Sequence, residues 1–504
     1  MRGRLRRDGR RIDLGGHRTR REGDRPAHLA GTDRGRSDLL PARRGASFDR
    51  RPDQGEGEAR LAAPHHVHRT GAADGRPRYG ERVTEALTID RCRVCGNTRL
   101  ETVVDLGTMA LTGVFPAADA ADVPRYPLEL VRCVRSDPSA ADPDECGLVQ
   151  LRHTANFDEM YSAGYGYRSG LNRSMIDHLG RRVARIRARI DLGPEDLVID
   201  IGSNDATLLK WYPPGAASVV GIDPLAEKFR EFYPPHVRVV PGFFGTPAVA
   251  AALNGKRAKV ITSVAMFYDV PDPLGFMRAV RDALTDDGIW VLEQSYLPAM
   301  LATTSYDTIC HEHLEYYTLD QIEWMARRSG FTVLEVERNT VNGGSFALTL
   351  AKHGTPAHAD AAALAGMRAE EAALGLHGPQ LYADFAKRVD QHRDRVRDFF
   401  DRSRQAGLRT LGYGASTKGN VLLQYCGIGP AELPCLAEVN PDKFGKFTPG
   451  TAIPIVPEAE ARAQAPDQFF VLPWHFRTML VEREREFLES GGRLVFPLPE
   501  LGVV

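Results

Sequence analysis

The densest group of titratable side chains in the chain is the run SYDTICHEHLEYYTL, in which His311, Glu312 and His313 are consecutive and Tyr316 follows. Imidazole has an ordinary pKa that suits a general base near neutral pH, and a carboxylate between two histidines can orient such a base. The run is not a zinc-protease motif, because residue 315 is glutamate where His-Glu-x-x-His requires histidine. From the residues alone, burial habits favour His311 and His313 as buried structural histidines, with a shared metal as an alternative.

Four of the seven cysteines fall in one short region, as Cys92-x2-Cys95 followed by Cys133 and Cys146. A Cys-x2-Cys turn brings two thiolates to one tetrahedral ion, and a second pair can close the site. The twelve residues between Cys133 and Cys146 are rich in Asp, Pro and Ser, so they can loop out while their ends stay close. The spacing predicts a structural zinc ion without an open position for a substrate; the alternative is a set of reduced core cysteines.

A glycine turn surrounded by acids follows a buried strand in LVIDIGSNDATLLKWYP, and a helical stretch is expected after it. Gly202 permits close approach of the backbone to a ligand, and Asp200, Asn204 and Asp205 supply acceptors around it. A dinucleotide site needs Gly-x-Gly-x-x-Gly, and carboxylates would repel its pyrophosphate. The same carboxylates suit a cation, so the turn favours S-adenosylmethionine, with Asp223 of SVVGIDP accepting hydrogen bonds from the ribose hydroxyls.

The segments after this turn alternate between buried strands and helical stretches, which predicts a parallel sheet in an α/β domain. VVPGFFG and KVITSVAMFYDVPDP supply the third and fourth strands, and they place Phe243, Phe244 and Met266 where a cofactor rim would lie. Either phenylalanine is equally expected in the core. GIWVLEQ is the next strand, and the run at 311–313 follows it, where α/β sheets place their sites.

A second nucleotide-binding-like half is expected in the last third of the chain. Residues 356–404 predict two helices, and LRTLGYGASTKGN then predicts a strand, a glycine turn and a helix, with further strands in LPCLAEVNPDKFG and FFVLPWHF. The turn is either a cradle for a pyrophosphate or a place where a helix packs closely on a strand. Its candidate substrate-binding residues are Gly412, Gly414, Ser416 and Lys418. Lys443 and Lys446 add charge toward the same diphosphate or are simply solvated.

The charge of the chain is divided between two unequal parts. Residues 1–82 contain 21 Arg, no Lys and 12 acidic residues, whereas the rest of the chain carries a net charge of −10. The first part has no sustained apolar period, which predicts disorder, and a translation start near Val83 is one hypothesis. The acidic remainder argues against a nucleic-acid or membrane partner, and no apolar run reaches the roughly 20 residues that span a bilayer. These features predict a cytoplasmic protein of about three domains.

Several motifs together resemble a known family. CRVCGNTRLETVVDLG, HEHLEYYTL, GYGASTKGNVLLQYCGI and FGKFTPGTAIPI are similar to the nucleotide-sugar C-methyltransferases, which act on dTDP-linked 4-ketohexoses. The resemblance covers about residues 88–504 and implies S-adenosylmethionine and structural zinc as cofactors. It also implies an α/β architecture of a zinc-binding domain at 86–153, a class I Rossmann-like methyltransferase domain at 154–340 and a second Rossmann-like domain at 341–504. The Arg-rich extension at 1–85 precedes these domains.

The resemblance assigns roles to the polar run. His313 would remove the C3 proton that a C4 keto group acidifies, and Glu312 would orient or polarise this base. Either Tyr165 or Tyr167, from YSAGYGYRSG, would lie beside the sugar.

Two positions depart from the family pattern: Cys310 replaces a tyrosine, and Asp269 replaces a histidine. Either the substrate pocket differs or the catalytic duties are redistributed. Three other functions stay open: a nicotinamide-dependent oxidoreductase, which the acid-lined Gly202 turn disfavours; a zinc-ribbon adaptor or nucleic-acid binder, which the negative charge disfavours; and methylation of oxygen or nitrogen, which needs no carbon-acid base.

Overall fold

The computed structural model describes residues 86–117, 123–140, 143–161, 165 and 167–504. The predicted Arg-rich extension and the proposed start at Val83 lie outside the described residues. Within the described ranges, no helix is both long enough and apolar enough to cross a bilayer.

The cysteine-rich region forms a small antiparallel sheet. Its strands and those of an adjoining two-stranded ribbon are β1 Leu87–Thr88, β2 Leu100–Ala110, β3 Arg125–Cys133, β4 Val149–Leu151 and β5 His153–Thr154. β2, β3 and β4 are neighbours in the sheet, and β1 pairs with β5. The fourth strand of the sheet comes from residues 315–316, directly after the polar run.

The middle of the chain builds a seven-stranded sheet with helices on its faces, as the alternating segments predict. The strands of this region are β6 Leu197–Ile201, β7 Ser218–Asp223, β8 Val237–Pro241, β9 Ala258–Val264, β10 Leu284–Ser295, β11 Glu315–Tyr316, β12 Phe331–Asn339 and β13 Ser345–Lys352. The helices are α1 Phe157–Met160, α2 Arg173–Arg189, α3 Pro247–Leu253, α4 Pro273–Ala283, α5 Leu297–Thr303 and α6 Leu319–Ser329.

The sheet order is β12-β13-β10-β9-β6-β7-β8, and β13 is antiparallel to both of its neighbours. All five residues of β6 are buried, which explains its unbroken apolar character, since helices or loops cover both faces of a parallel sheet. The helical stretch expected after Gly202 is only the 3₁₀ turn Leu209–Trp211. Pro213 and Pro214 follow at once, and proline cannot continue a helix interior.

The C-terminal region is a second α/β unit, and both helices predicted for residues 356–404 are confirmed. Its helices are α7 Ala361–Leu374, α8 Gln380–Gln405, α9 Thr417–Cys426, α10 Glu458–Ala463, α11 Arg477–Arg483 and α12 Arg485–Glu489. Its strands are β14 Thr410–Tyr413, β15 Leu436–Glu438, β16 Ile455–Pro457, β17 Gln468–Val471, β18 Arg493–Phe496 and β19 Gly502–Val503. They form one sheet in the order β16-β15-β14-β17-β18-β19, parallel except for β19.

The polar run lies where these three units meet. One apolar cluster contains Leu128 of β3, Ile309 and Leu314 on either side of the run, and Phe470 of β17. Because this core is shared, residues 309–314 are held between the sheet of the cysteine-rich region and the C-terminal sheet.

Candidate active site

The carboxyl ends of the parallel strands open onto one cavity of about 370 Å³. Its wall includes seven of the eight residues that the sequence places at the cofactor: Asp200, Gly202, Asn204, Asp223, Phe243, Phe244 and Met266. Both candidate tyrosines, Tyr165 and Tyr167, line the same cavity. The fold therefore brings the acid-lined turn, the carboxylate of β7 and the aromatic rim together.

The turn after β6 requires glycine at position 202. Gly202 has a φ of +75°, and a β-carbon there would lie 3.0 Å from Cγ of Met266. L-residues are strained at this φ. The Gly202 N–H donates to the Ile222 carbonyl at 2.8 Å, which fastens the turn to β7. The turn therefore brings bare backbone to the cavity.

Asp223, the last residue of β7, is oriented by two backbone amides. The Asn204 N–H donates to Oδ2 at 2.9 Å, and the Leu225 N–H donates to Oδ1 at 2.7 Å. Burial raises the pKa of Asp223, and these two hydrogen bonds oppose the shift. Each carboxylate oxygen has a second lone pair, so this group can still accept bonds from hydroxyls in the cavity.

Asp205 is placed differently from its prediction. Its carboxylate accepts hydrogen bonds from the Gly170 N–H at 3.0 Å and from the Thr207 N–H at 3.2 Å. In the structure as described, Asp205 does not line the cavity. It fastens the turn at 169–171 to the Gly202 loop and supports the cavity from behind.

Two further polar residues lie in the wall. Oδ1 of Asp200 accepts from the Thr262 hydroxyl at 2.6 Å, and burial raises the pKa of Asp200 to about 7. Gln294, which the sequence analysis missed, has a buried amide whose oxygen and nitrogen both lack a partner within the described part of the chain. Buried amides normally make hydrogen bonds, so Gln294 is suited to a polar ligand. Its place at the carboxyl end of β10 was the available signal.

The two phenylalanines after β8 differ in their surroundings. Phe243 is 45% exposed at the cavity rim, whereas Phe244 packs edge-on against Phe276 with 5.5 Å between the ring centroids. Tyr161, also missed from the sequence, stands 6.3 Å from Phe243 and 5.5 Å from Tyr165 by ring centroids. Both phenylalanines line the cavity, and the ring of Phe243 is the more open to an adenine ring at the rim.

His313 has a defined tautomer. Its Nδ1 lies 3.0 Å from the Thr308 carbonyl, so the Nδ1–H donates there and Nε2 carries the lone pair. The centroid of its ring is 4.1 Å from that of Tyr268. Burial and the charge of Lys418 lower the pKa of His313 to about 3, which keeps the imidazole neutral near pH 7 and makes it a weaker base than an ordinary imidazole.

Glu312 is buried next to the cavity wall. The Thr112 hydroxyl donates to its Oε2 at 3.5 Å, and burial raises the pKa of Glu312. The charge of Glu312 adds to burial in raising the pKa values of Tyr165 and Asp269, both of which line the cavity. Glu312 and His313 thus lie beside the wall of the cofactor cavity rather than on it.

Asp269, one of the two departures from the family pattern, lines the cavity itself. The Tyr161 hydroxyl donates to Oδ2 at 3.2 Å, and Oδ1 is buried without a partner among the described residues. Burial and the charge of Glu312 raise the pKa of Asp269 well above its usual value, which favours the protonated carboxyl. Cys310, the other departure, is fully buried nearby.

His311 faces the zinc-binding sheet. Its Nε2–H donates to the Tyr126 carbonyl of β3 at 3.1 Å, and burial lowers the pKa of His311 to about 4. These are the contacts of a buried structural histidine. The predicted catalytic role of His311 gains no support from this position.

The sulfur atoms of the four predicted zinc ligands lie within 4.8 Å of one another: Cys92, Cys95, Cys133 and Cys146. The sulfurs of Cys92 and Cys146 are 3.5 Å apart, as are those of Cys95 and Cys133. Sulfurs about 2.3 Å from a tetrahedral ion are about 3.8 Å apart, whereas a disulfide needs about 2.05 Å. Gly96 follows Cys95 directly with a φ of +74°, and its N–H closes the turn by donating to the Cys92 carbonyl at 3.0 Å. The Asn97 amide donates to the sulfur of Cys133 at 3.4 Å. The arrangement fits a structural zinc ion.

Three family models match successive parts of the chain. A "Putative zinc binding domain" matches residues 92–161, a "Methyltransferase domain" residues 171–336 and a "C-methyltransferase C-terminal domain" residues 340–499. The chain is also 32% identical to the C-methyltransferase NovU of Streptomyces niveus over 422 residues, which are 82% of this chain and 97% of that protein. The chain belongs to this C-methyltransferase family. It is an S-adenosylmethionine-dependent C-methyltransferase with a zinc-binding domain.

Solved structures of other methyltransferases resemble part of the chain. CcbJ of Streptomyces caelestis is 14% identical, with a TM-score of 0.28, and the match covers 35% of this chain and 90% of that one. A methyltransferase from Mesorhizobium loti is also 14% identical, with a TM-score of 0.29, over 35% of this chain and 99% of that one.

The glycine turn of the C-terminal domain of this C-methyltransferase packs against its own fold. A β-carbon on Gly412 would overlap the side chain of Leu436. Gly414 has a φ of +80°, and a β-carbon there would lie 2.8 Å from Pro473. Close packing accounts for both glycines, and their binding of a pyrophosphate stays a prediction.

The two polar residues of this turn also have partners within the protein. The Ser416 hydroxyl accepts from the Gly419 N–H at 3.0 Å and caps α9. Lys418 donates to the Asn342 carbonyl at 2.6 Å, and its charge acts on His313. Lys418 therefore lies near the proposed base.

Four cationic side chains converge between the methyltransferase and C-terminal domains. The four are Arg168, Lys228, Lys443 and Lys446. They line a narrow cleft together with Asp442 and the two tyrosines Tyr165 and Tyr167. Lys228 donates to the Tyr165 carbonyl at 2.6 Å, and burial together with the charge of Lys446 lowers the pKa of Lys228. Positive charge held this close together suits an anionic ligand.

Proposed function

We propose that this C-methyltransferase acts on a nucleotide-linked 4-keto deoxysugar and methylates the carbon next to the keto group. The observation that carries the proposal is the fixed tautomer of His313, whose Nε2 is an acceptor in a buried polar cluster next to the cofactor cavity. A carbon acid needs such a base, and the similarity to a C-methyltransferase favours carbon over oxygen as the methyl acceptor.

The base acts on a proton that the substrate itself acidifies. A C4 keto group lowers the pKa of the C3–H, and His313 Nε2 accepts that proton while the electron pair of the C–H bond passes into an enolate. The Thr308 carbonyl stabilises the resulting imidazolium through Nδ1–H, and Glu312 would orient or polarise this base. S-adenosylmethionine supplies an electrophilic methyl group that bonds to C3 and leaves a neutral thioether.

The enolate oxygen needs a hydrogen-bond donor, and Asp269 is suited to that role. Its Oδ2 is occupied by the Tyr161 hydroxyl, while Oδ1 lies in the cavity wall without a described partner. A buried carboxyl kept protonated donates a hydrogen bond strongly to developing negative charge. Asp269 would in this way perform the duty of the histidine found in relatives.

The cofactor cavity suits the methyl donor, and the four-cation cleft suits the diphosphate of a sugar nucleotide. Asp200, Asn204, Asp223 and Gln294 would hold the amino-acid and ribose parts of the methyl donor. Tyr165 and Tyr167 line both the cavity and the cleft, so a sugar lying beside them would extend its diphosphate toward the cations. This continuity favours a nucleotide-linked sugar over a neutral one.

The test combines proton exchange with product analysis. In D₂O, wild-type enzyme with dTDP-linked 4-keto deoxysugar is expected to exchange the C3 proton and, with S-adenosylmethionine added, to give a C-methyl product by NMR. His313→Ala is expected to lose both activities while still binding S-adenosylmethionine in calorimetry. Lys446→Ala is expected to raise the KM for the sugar nucleotide without raising that for the methyl donor. An O-methyl product, or C-methylation by His313→Ala at the wild-type rate, would overturn the proposal.

A further inference from the structure

We infer that the segment Thr112–Gly113 of the zinc-binding domain positions the carboxylate of Glu312, and that residue 113 is glycine because a side chain there would displace it. Since Glu312 takes its role from the proposed function, this inference rests on that proposal. It assigns to the zinc-binding domain a direct part in the active site.

Glycine at 113 is required by a neighbour and not by the backbone. Gly113 is not among the described residues with positive φ, so any L-residue could adopt its conformation. A β-carbon on Gly113 would, however, come closer to Oε1 of Glu312 than non-bonded atoms approach, and would lie 3.6 Å from Cδ2 of Tyr165. The nearest atom is the end of a flexible side chain, so an added methyl group is expected to move the carboxylate and leave the fold intact.

The segment that approaches Glu312 is fixed in place by α9 of the C-terminal domain. Gln424 forms two hydrogen bonds with Ala110, accepting from its N–H at 2.8 Å and donating to its carbonyl at 3.2 Å. The Asn420 side chain, fully buried, donates to the Thr112 carbonyl at 2.7 Å. Three hydrogen bonds across a domain boundary hold these residues. An added β-carbon at position 113 is therefore expected to move the Glu312 side chain and not the backbone of Gly113.

The same segment supplies the hydrogen bond that Glu312 accepts from the Thr112 hydroxyl. Thr112 is fully buried, so this hydroxyl has no solvent to bond with. β2 connects this contact to the zinc site, because Leu100 at its other end pairs with Cys133. At roughly 3.4 Å per residue, the 11 residues of this strand span roughly 35 Å. The zinc ion would thus act on the reaction through the strand it anchors.

The test is a double-mutant cycle between positions 113 and 312. Gly113→Ala is expected to lower kcat on the order of 10- to 100-fold, with the KM for S-adenosylmethionine, the zinc content and the Tm unchanged. In the Glu312→Gln background the same change is expected to add no further loss, because the carboxylate it displaces is already gone. Gly366→Ala is the matched control: its β-carbon meets no atom within 4 Å in the described structure.

The outcomes separate this inference from the proposed function. Full activity in Gly113→Ala, or a loss that adds to that of Glu312→Gln, overturns the positioning role alone. Full activity in Glu312→Gln overturns the role of Glu312 in the proposed function. If Gly113→Ala fails to fold, Thr112→Val and Thr112→Ser decide: loss of kcat in the valine variant with recovery in the serine variant supports the inference, and equal activity refutes it.

Discussion

Replacing Asp223 with asparagine should weaken the methyl donor's binding by a calculable amount. Each oxygen of this carboxylate accepts one backbone N–H, from Asn204 or Leu225, and has one lone pair left for a ribose hydroxyl. The amide keeps one oxygen and places an NH₂ group where the other was. One charge-assisted bond to the ribose is then lost, which is worth about 1.5–3 kcal/mol. A loss of this size raises the Kd by about 10- to 150-fold.

Calorimetric titration with S-adenosylmethionine measures this change, and Asp205→Asn is the matched control. Asp205 is an acid of the same turn, but its carboxylate bonds to Gly170 and Thr207 and not to the cavity. We expect Asp205→Asn to lower the Tm and leave the Kd nearly unchanged. An unchanged Kd in Asp223→Asn, or an equal weakening in the control, would refute the assignment of the ribose site.

Three further outcomes follow from the structure. Lys418→Met removes a charge that helps to lower the pKa of His313 to about 3, so the acid limb of the kcat/KM pH profile should move to higher pH. Lys418→Arg keeps the charge and should leave this limb in place. An acid limb that does not move in Lys418→Met contradicts this electrostatic role. Asp269 holds a proton in the folded state at pH values where the unfolded chain has released it, so stability falls as pH rises from the unfolded pKa toward the raised folded one. In thermal scans, the Tm of Asp269→Asn should therefore rise relative to that of the wild type as pH rises. A difference in Tm that stays constant with pH would argue against a raised pKa of Asp269. Cys133→Ser should lose the single zinc ion measured by mass spectrometry and much of the folding free energy, whereas Cys435→Ser should lose neither.

The sequence was most informative where a pattern depends on local chemistry. Strands such as LVIDI can be recognised from their unbroken apolar residues, because both faces of a parallel sheet are covered. The four cysteines indicate a shared ion, because thiolates with that spacing have few other uses. The helix expected after Gly202 was wrong because Asn204 and Ala206 have φ values of +48° and +60°, which a right-handed helix excludes, and the prolines at 213 and 214 stop the 3₁₀ turn that follows. The pairing of residues 315–316 with β4 could not be foreseen, since partners 165 residues apart leave no local pattern.

The site was predicted less completely than the fold because side-chain direction depends on distant neighbours. Asp205 turns away from the cavity to meet Gly170, 35 residues earlier. Tyr161 and Gln294 line the cavity, although one lies in a short helical segment's C-cap and the other among the apolar residues of a strand. A single sequence identifies which residues can do chemistry at strand ends, but not which of them face a common space.

The strand borrowed by the zinc-binding sheet limits how this enzyme can be recombined. Glu315 and Tyr316 of β11 pair with Gln150 and Val149 of β4, and Arg93, from within the Cys-x2-Cys turn, faces Glu315 at 3.9 Å. A chimera that exchanged only the first domain for that of a relative would join a foreign β4 and a foreign arginine to the resident β11, two residues after His313. A functional hybrid between family members should therefore require that residues 306–316 are exchanged together with the zinc-binding domain. The exchangeable unit is then a pair of segments distant in sequence and not one contiguous domain.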